Sequence, residues 1–480
     1  MTKQYILCAA LAGALVAGCG GGSGGGTSGG GRIEPLDTAL QSAPAGATPA
    51  AAASRMPQGA AVPRIELGPL TGAKIAAPQD SSGAPVQIGQ GRAVQATASP
   101  DDLAGQLHWN ALADGTQVAA LAFSAEGAQA MRLGVLARRV PAGAVLRFYG
   151  TDDADVVEMT AAQLDEMRKI NEDGGVAGDA ARMVWGPDTA GSVSMLEVQL
   201  PAGVNASQLQ LAVPQLSHLT RTAQQALQDT STIGASGSCN LDVRCSADLD
   251  TESRAVAHMV FNSGGDTYVC SGTLMNDTKK SRTPYFLTAN HCISTQASAT
   301  TLITYWFFRA ASCNSSPQYD AAMTRLTNGA KLLYTETKSD GTLLQLNSQP
   351  PAKVVYAGSY YGTTQSQNTG VTGVHHPKGD LQKYSTGSIT GYATCSTANN
   401  SLSCSTGTAS SSSSYRVSFT KGVVEGGSSG SGIFVKQGNT RYLVGTLTGG
   451  AASCSNQGGA EYYGRFDLLY SRGMKNYLNP

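Results

Sequence analysis

The sequence predicts a mainly β protein, and three observations carry that expectation. Short apolar runs of strand length, such as Tyr285–Thr288, Thr342–Leu346 and Ile433–Val435, recur through the last half and are bounded by turn-forming residues. That half is rich in Thr, Val, Tyr, Gly and Ser, a composition suited to many short strands joined by tight turns. Similar apolar pieces, Val118–Phe123 and Ala144–Tyr149, precede it.

In chain order, the first element is a leader. Lys3 and the apolar stretch Tyr5–Ala17 form a charged head and a hydrophobic segment too short to span a bilayer comfortably. The leader ends in Leu15-Val16-Ala17-Gly18-Cys19, which looks like a bacterial lipobox. Residues 1–18 would be removed as a signal peptide and Cys19 would carry lipid, anchoring the chain without a transmembrane helix. Gly20 follows, with no Asp to retain the product at an inner membrane, so an exported lipoprotein of the outer membrane or cell surface is expected.

Residues 19–91 are dominated by Gly, Ala, Pro, Ser and Thr and show no sustained period. Such a stretch cannot bury enough apolar surface of its own to offset chain entropy, so it is expected to be a flexible tether. A globular region follows over 92–233. Its apolar pieces include Val184-Trp185-Gly186-Pro187 and Met195–Pro201, and a helix is expected from Thr160, as cap, to about Ile170. Asp152, Asp153 and Asp155 lack the loop glycine and closing Glu of a calcium loop, and read as a solvated acidic turn.

Residues 234–480 carry the chemistry. T-A-N-H-C ends at Cys292, S-D-G-T-L-L begins at Ser339, and G-G-S-S-G-S-G ends at Gly432. They place His291, Asp340 and Ser429 at strand edges, in an order that one scaffold for serine nucleophiles uses. A serine nucleophile needs a base to take its proton and a carboxylate to fix the tautomer of that base. It also needs a tight turn whose N–H groups face the developing oxyanion, and Gly427 and Ser429 would supply them. Asp320 also opens an apolar-containing run, but that run lacks the consecutive leucines after Asp340. His375 and His376 are assigned no catalytic role.

From about Ser236 to Pro480 the chain resembles the chymotrypsin-fold serine proteases, and most of all the bacterial lysyl endopeptidases. The likeness lies in G-S-C-N-L-D-V-R-C from Gly237, T-A-N-H-C, D-G-T-L-L-Q-L, V-H-H-P from Val374, E-G-G-S-S-G-S and Y-G-R from Tyr463. It implies two packed six-stranded antiparallel β-barrels with the triad between them, acting as a serine endopeptidase on proteins or peptides. The preceding region resembles the β-sandwich pro-regions of such enzymes and would assist folding or inhibit. The mature enzyme would begin near Ile233-Gly234, although the residue immediately before it is Thr232 rather than lysine. Ser428 stands where trypsin-like enzymes have an Asp that captures the new N-terminus, so other contacts must order the oxyanion loop.

Ten cysteines include Cys8 and Cys19 in the leader and eight between Cys239 and Cys454. An even set in an exported chain suggests four disulfides, whose connectivity spacing alone leaves open. The resemblance implies Cys239–Cys454, Cys245–Cys313 and Cys270–Cys292, leaving Cys395 with Cys404. It also implies where substrate is chosen. Val423 occupies the position of the trypsin specificity acid, whereas the lysyl endopeptidases place an Asp shortly before Y-G-R. Glu461 stands there, with Thr448 in place of a histidine ahead of Gly449 in the pocket wall. Cleavage after Lys or Arg is expected, since a buried carboxylate would pair with either cation.

Other classes fit less well. Basic and acidic side chains balance at 33 each, with no basic stripe for nucleic acid. No Cys-x-x-Cys or His-Glu-x-x-His signature supports a metal site, and no cofactor is expected. An esterase elbow would need Gly where Ser431 stands. A non-catalytic surface lipoprotein that binds partners is the main alternative, but all three triad residue types are present.

Overall fold

The computed structural model describes residues 31–40, 52–70, 85–151, 155–221, 236–316, 318–398 and 401–480. The leader with Cys19, the boundary at Ile233-Gly234, and Asp152 and Asp153 lie outside the described residues. No helix among the described residues is long and apolar enough to cross a membrane.

The last half holds a closed barrel of six antiparallel strands. Gly370–His375 pairs with Lys383–Ala398, which pairs with Ser414–Lys421, then Ala460–Arg465, Thr440–Gly450 and Gly432–Gln437, which returns to Gly370–His375. Its interior is filled by Val371, Ile389, Val417, Phe419, Ile433 and Tyr463, alternating inward along their strands as closure requires. Ahead of it, Val256–Ser263, Asp266–Met275, Tyr285–Thr288 and Gly341–Leu346 form the centre of a second curled sheet. Ala330–Glu336 flanks it at one end, and Ile303–Trp306 with Thr324–Leu326 at the other. Phe286, Met259 and Trp306 sit in its core. The four disulfides Cys239–Cys454, Cys245–Cys313, Cys270–Cys292 and Cys395–Cys404 are formed.

The N-terminal half is a sandwich. One sheet contains Gln117–Ala125, Val193–Leu200 and Val145–Gly150, and the other Ala130–Arg139 and Gln210–Leu219. Leu121, Phe123, Leu133, Phe148 and Leu196 fill the space between them. A helix spans Ala161–Asp173, where Thr160 and Gln163 form a reciprocal capping box. Asp155 is described, in coil before the strand Val157–Thr160.

This sandwich adds a strand to the catalytic half. Val86–Ala93 pairs with Gln210–Leu219 on one side and, through Val86–Gly89, with Thr267–Val269 on the other. Asp266–Met275 therefore has two successive neighbours along one edge: Val86–Gly89 first, then Tyr285–Thr288.

The expectation that 19–91 is a tether throughout is corrected here. Arg32–Ile33 and Leu36–Asp37 pair with strands of the catalytic half, Arg64–Leu67 runs parallel to Gln117–Ala125, and the sandwich begins by Val86 rather than at 92. Composition misled because a docked segment needs no core of its own. Ile33 and Leu36, 2% and 8% exposed, are buried against cores that other residues build.

Candidate active site

His291 follows the strand Tyr285–Thr288, and Asp340 immediately precedes Gly341–Leu346. These strands pair antiparallel with Thr288 opposite Thr342, which brings the two loops together. Asp340 Oδ2 lies 2.7 Å from His291 Nδ1, and its Oδ1 accepts the His291 backbone N–H at 2.9 Å. A carboxylate only accepts, so Nδ1 carries the proton and Nε2 presents a lone pair. Nε2 is buried without a partner among the described residues. Asp340 sits at φ +46°, a left-handed conformation that Asp tolerates better than most residues. The Cys270–Cys292 bond secures the residue beside His291 and leaves no thiolate there for a metal. Asp320 lies elsewhere, paired with Arg309 at 3.0 Å.

Ser429 is on the turn that leads into Gly432–Gln437 and is 5% exposed. Its carbonyl accepts from Ser271 N–H at 2.8 Å, and Ser271 Oγ donates to Gly427 O at 3.0 Å. Gly430, at φ +82°, packs against Thr288 and Ala289, where a Cβ would lie 2.2 Å from Thr288 Oγ1. The serine turn is thus pressed onto the strand end that presents His291. Gly427 has φ +93°. Ser428 N–H is used by Glu425 O and Gly430 N–H by Leu447 O, whereas neither Gly427 nor Ser429 N–H meets an acceptor among the described residues. Those two donors are therefore available to an oxyanion.

Two buried ties hold this turn where trypsin-like enzymes use an Asp. Ser428 Oγ lies 2.9 Å from His375 Nδ1, and burial pushes the pKa of His375 down to about 3, so its ring is neutral. Glu425 meets Lys378 Nζ at 2.8 Å, Gly237 N–H at 2.8 Å and Asn240 Nδ2 at 2.6 Å. Sequence reasoning passed over both. Glu425 stands inside the quoted E-G-G-S-S-G-S run, but its partner Gly237 lies 188 positions away, beyond any local pattern.

A cleft of about 590 Å³ opens beside His291 and Asp340, lined also by Thr448, Arg472 and the turn Ser410–Ser414. No residue of the described N-terminal half lines it. On the strand Ala460–Arg465, Glu461 is 1% exposed and lies opposite Gly450, two residues along the neighbouring strand from the cleft-lining Thr448. Its Oε1 accepts Ala452 N–H at 2.7 Å, while Oε2 and Thr448 Oγ1 are buried without partners among the described residues. No cation pairs with Glu461 among the described residues, and burial pushes its pKa up to about 8. Gly450 and Gly449 sit in the adjoining strand; a Cβ on Gly450 would lie 2.6 Å from the Glu461 carboxyl carbon. Val423 is fully buried and apolar.

Residues 233–464 match the family described as lysyl endopeptidase, C-terminal domain, and residues 60–220 the lysyl endopeptidase N-terminal domain. The chain is similar to the lysyl endopeptidase of Pseudomonas aeruginosa, 32% identical over 413 residues, or 83% of this chain and 82% of the relative. Among solved structures it is similar to protease Anisep from Arthrobacter nicotinovorans, at 18% identity over 47% of this chain and 96% of that one, TM-score 0.34. It is also similar to the MamO protease domain from Magnetospirillum magneticum, at 12% identity over 47% and 98%, TM-score 0.32.

Proposed function

We propose, from the premise that this chain belongs to the lysyl endopeptidase family and is a serine endopeptidase, that it cleaves after lysine or arginine through His291, Asp340 and Ser429. The observation that carries the specificity is Glu461, a fully buried acid with an unpaired oxygen and no cation of its own. Buried carboxyls are normally partnered, so one without a partner, on a strand paired with the one that carries the cleft-lining Thr448, is suited to a cationic ligand. Thr448 Oγ1, equally unpaired, offers a second polar contact.

His291 Nε2 takes the proton of Ser429 Oγ as that oxygen attacks the scissile carbonyl. The N–H groups of Gly427 and Ser429 receive the oxyanion, each contributing about 3 kcal/mol. The imidazolium, steadied by Asp340, returns the proton to the departing amine. Water then repeats the sequence on the acyl-enzyme. Glu461 is one methylene longer than the Asp of the lysyl endopeptidases, which shortens the pocket and leaves lysine and arginine both as candidates.

The leader supports export with a lipid on Cys19, giving an outer-membrane or cell-surface enzyme; loss of fatty-acid labelling in Cys19→Ala would check this. The N-terminal sandwich docks away from the cleft, which favours a role in folding the catalytic half. Expression of residues 234–480 alone should then give little folded enzyme.

The deciding experiment exposes an unbiased peptide mixture to the protein and to Ser429→Ala, reading cut sites by mass spectrometry. Cuts after Lys or Arg that vanish in the variant are expected. Cuts mainly after Phe or Leu would overturn the assignment of Glu461.

A further inference from the structure

We infer that residues 31–40 are a latch, an extended peptide seated in a binding groove on the catalytic half, remote from the cleft, that keeps the N-terminal part attached once the chain between them is cut. The groove is lined by the segment Val354–Tyr361 together with Arg254, Asn276 and Tyr442, none of which lines the cleft.

Recognition begins with the backbone. Arg32–Ile33 pairs antiparallel with Ser359–Tyr360, and Leu36–Asp37 with Val355–Tyr356. Tyr361 N–H donates to Gly31 O at 2.7 Å, and Thr38 donates to Val354 O through its N–H at 3.2 Å and its hydroxyl at 2.7 Å. Strand addition of this kind supplies affinity, and side-chain pockets supply selectivity. Ile33 enters the cluster of Met275, Leu287, Phe434 and Leu443, while Leu36 joins Met259, Phe286 and Leu346. The peptide therefore spans the cores of both catalytic sheets.

Charge fixes the register. Asp37 forms a two-pronged pair with Arg254, Oδ1 to Nη1 at 2.7 Å and Oδ2 to Nη2 at 2.5 Å. Glu34 accepts from Tyr442 Oη at 2.6 Å, and its carbonyl from Asn276 Nδ2 at 2.9 Å. The groove is also shaped for its occupant. A Cβ on Gly358 would lie 2.7 Å from Ile33 O and from the Pro35 ring, so a larger residue there would shut the peptide out. The ligand class is thus an extended peptide with apolar residues three apart and an acid following the second, as in Ile33-Glu34-Pro35-Leu36-Asp37.

If Cys19 carries lipid, Gly31 lies only 12 positions after it. Fully extended, that stretch reaches about 40 Å. The catalytic half would then be held close to the membrane rather than at the end of a long tether.

The test uses the full chain in detergent with Ser429→Ala, so that it cannot cut itself, and a site for an unrelated sequence-specific protease inserted between Ala45 and Gly46. After cutting, size exclusion and mass spectrometry follow the fragment ending at Ala45. It should co-elute with the remainder, and Ile33→Asp should speed its release on the order of 100-fold. Asp37→Arg should also release it, with retention restored when combined with Arg254→Asp, which shows that the variants are folded. Immediate release of the unaltered fragment, or retention unaffected by Ile33→Asp, would overturn the latch. Neither readout depends on peptidase activity, so failure here leaves the function proposed above untouched.

Discussion

Where the N-terminal half meets the catalytic half, Asp188 is fully buried and accepts from the Tyr305 hydroxyl at 2.6 Å and from Arg325 at 3.2 Å. In the catalytic half, Glu461 is as deeply buried and, among the described residues, accepts only the Ala452 N–H. Arg132, at the same interface as Asp188, places Nε on Gly186 O and Nη2 on Thr301 O and leaves only Nη1 unpaired. Among the described residues, His291 Nε2 and Thr448 Oγ1, which line the cleft, and Glu461 Oε2 instead have no partner. A buried polar atom without a partner costs stability, and it persists where a ligand completes it. The interface acid is thus fully paired, whereas the acid proposed for substrate recognition is not.

The largest effects should separate the two regions cleanly. Ser429→Ala should lower kcat by about 10⁴ to 10⁶-fold while thermal unfolding stays unchanged, since Ser429 Oγ has no structural role in the turn. A large drop in melting temperature would break the distinction. Asp188→Ala should do the converse. It strips partners from two buried groups at once, and removing one member of a buried pair costs about 3 to 5 kcal/mol, read as a lower denaturation midpoint with kcat preserved in the folded fraction.

Glu461→Gln comes next and tests whether two buried acids behave oppositely. With lysyl peptides kcat/KM should fall about 30- to 1,000-fold, because a substrate ammonium would enter without its counter-charge. Unfolding should be unaffected or slightly harder, unlike Asp188→Ala, since Glu461 has no cation to abandon. Destabilisation comparable to that of Asp188→Ala would mean that Glu461 serves the fold rather than substrate.

The same contrast explains what the sequence could and could not convey. His291 and Asp340 were legible because each flanks a run that reads locally as a strand, His291 just after one and Asp340 just before the other, and the Thr288–Thr342 register then brings them together. The cysteines alone left their connectivity open, and the family likeness supplied the pairs that formed. Likeness also carried the barrel, because closure depends on pairings such as Thr372 with Phe434 that no periodicity encodes. The segment around Ile33 and Leu36 was misread since its partners, Ser359 and Tyr356, lie more than 300 positions away. Glu425 was missed for the same reason. Strand identity is local, whereas the partner of an isolated apolar or acidic residue is not.

The pH dependence is the most diagnostic, because it titrates Glu461 directly. Glu461 holds its proton until about pH 8 in the folded enzyme, against an ordinary value of 4.5. A lysyl substrate needs the ionised form, so kcat/KM for lysyl peptides should climb up to tenfold per pH unit toward pH 8, then level off. A substrate with a neutral side chain of similar length should lack that rise, as should Glu461→Gln. Stability should move the other way. Between pH 4.5 and 8 the folded chain binds one proton more than the unfolded chain at this position, so stability falls as pH rises across that window. Glu461→Gln should remove that slope. Were both curves flat in the parent enzyme, Glu461 would already have a partner in solution, and the cleft would resemble the interface after all.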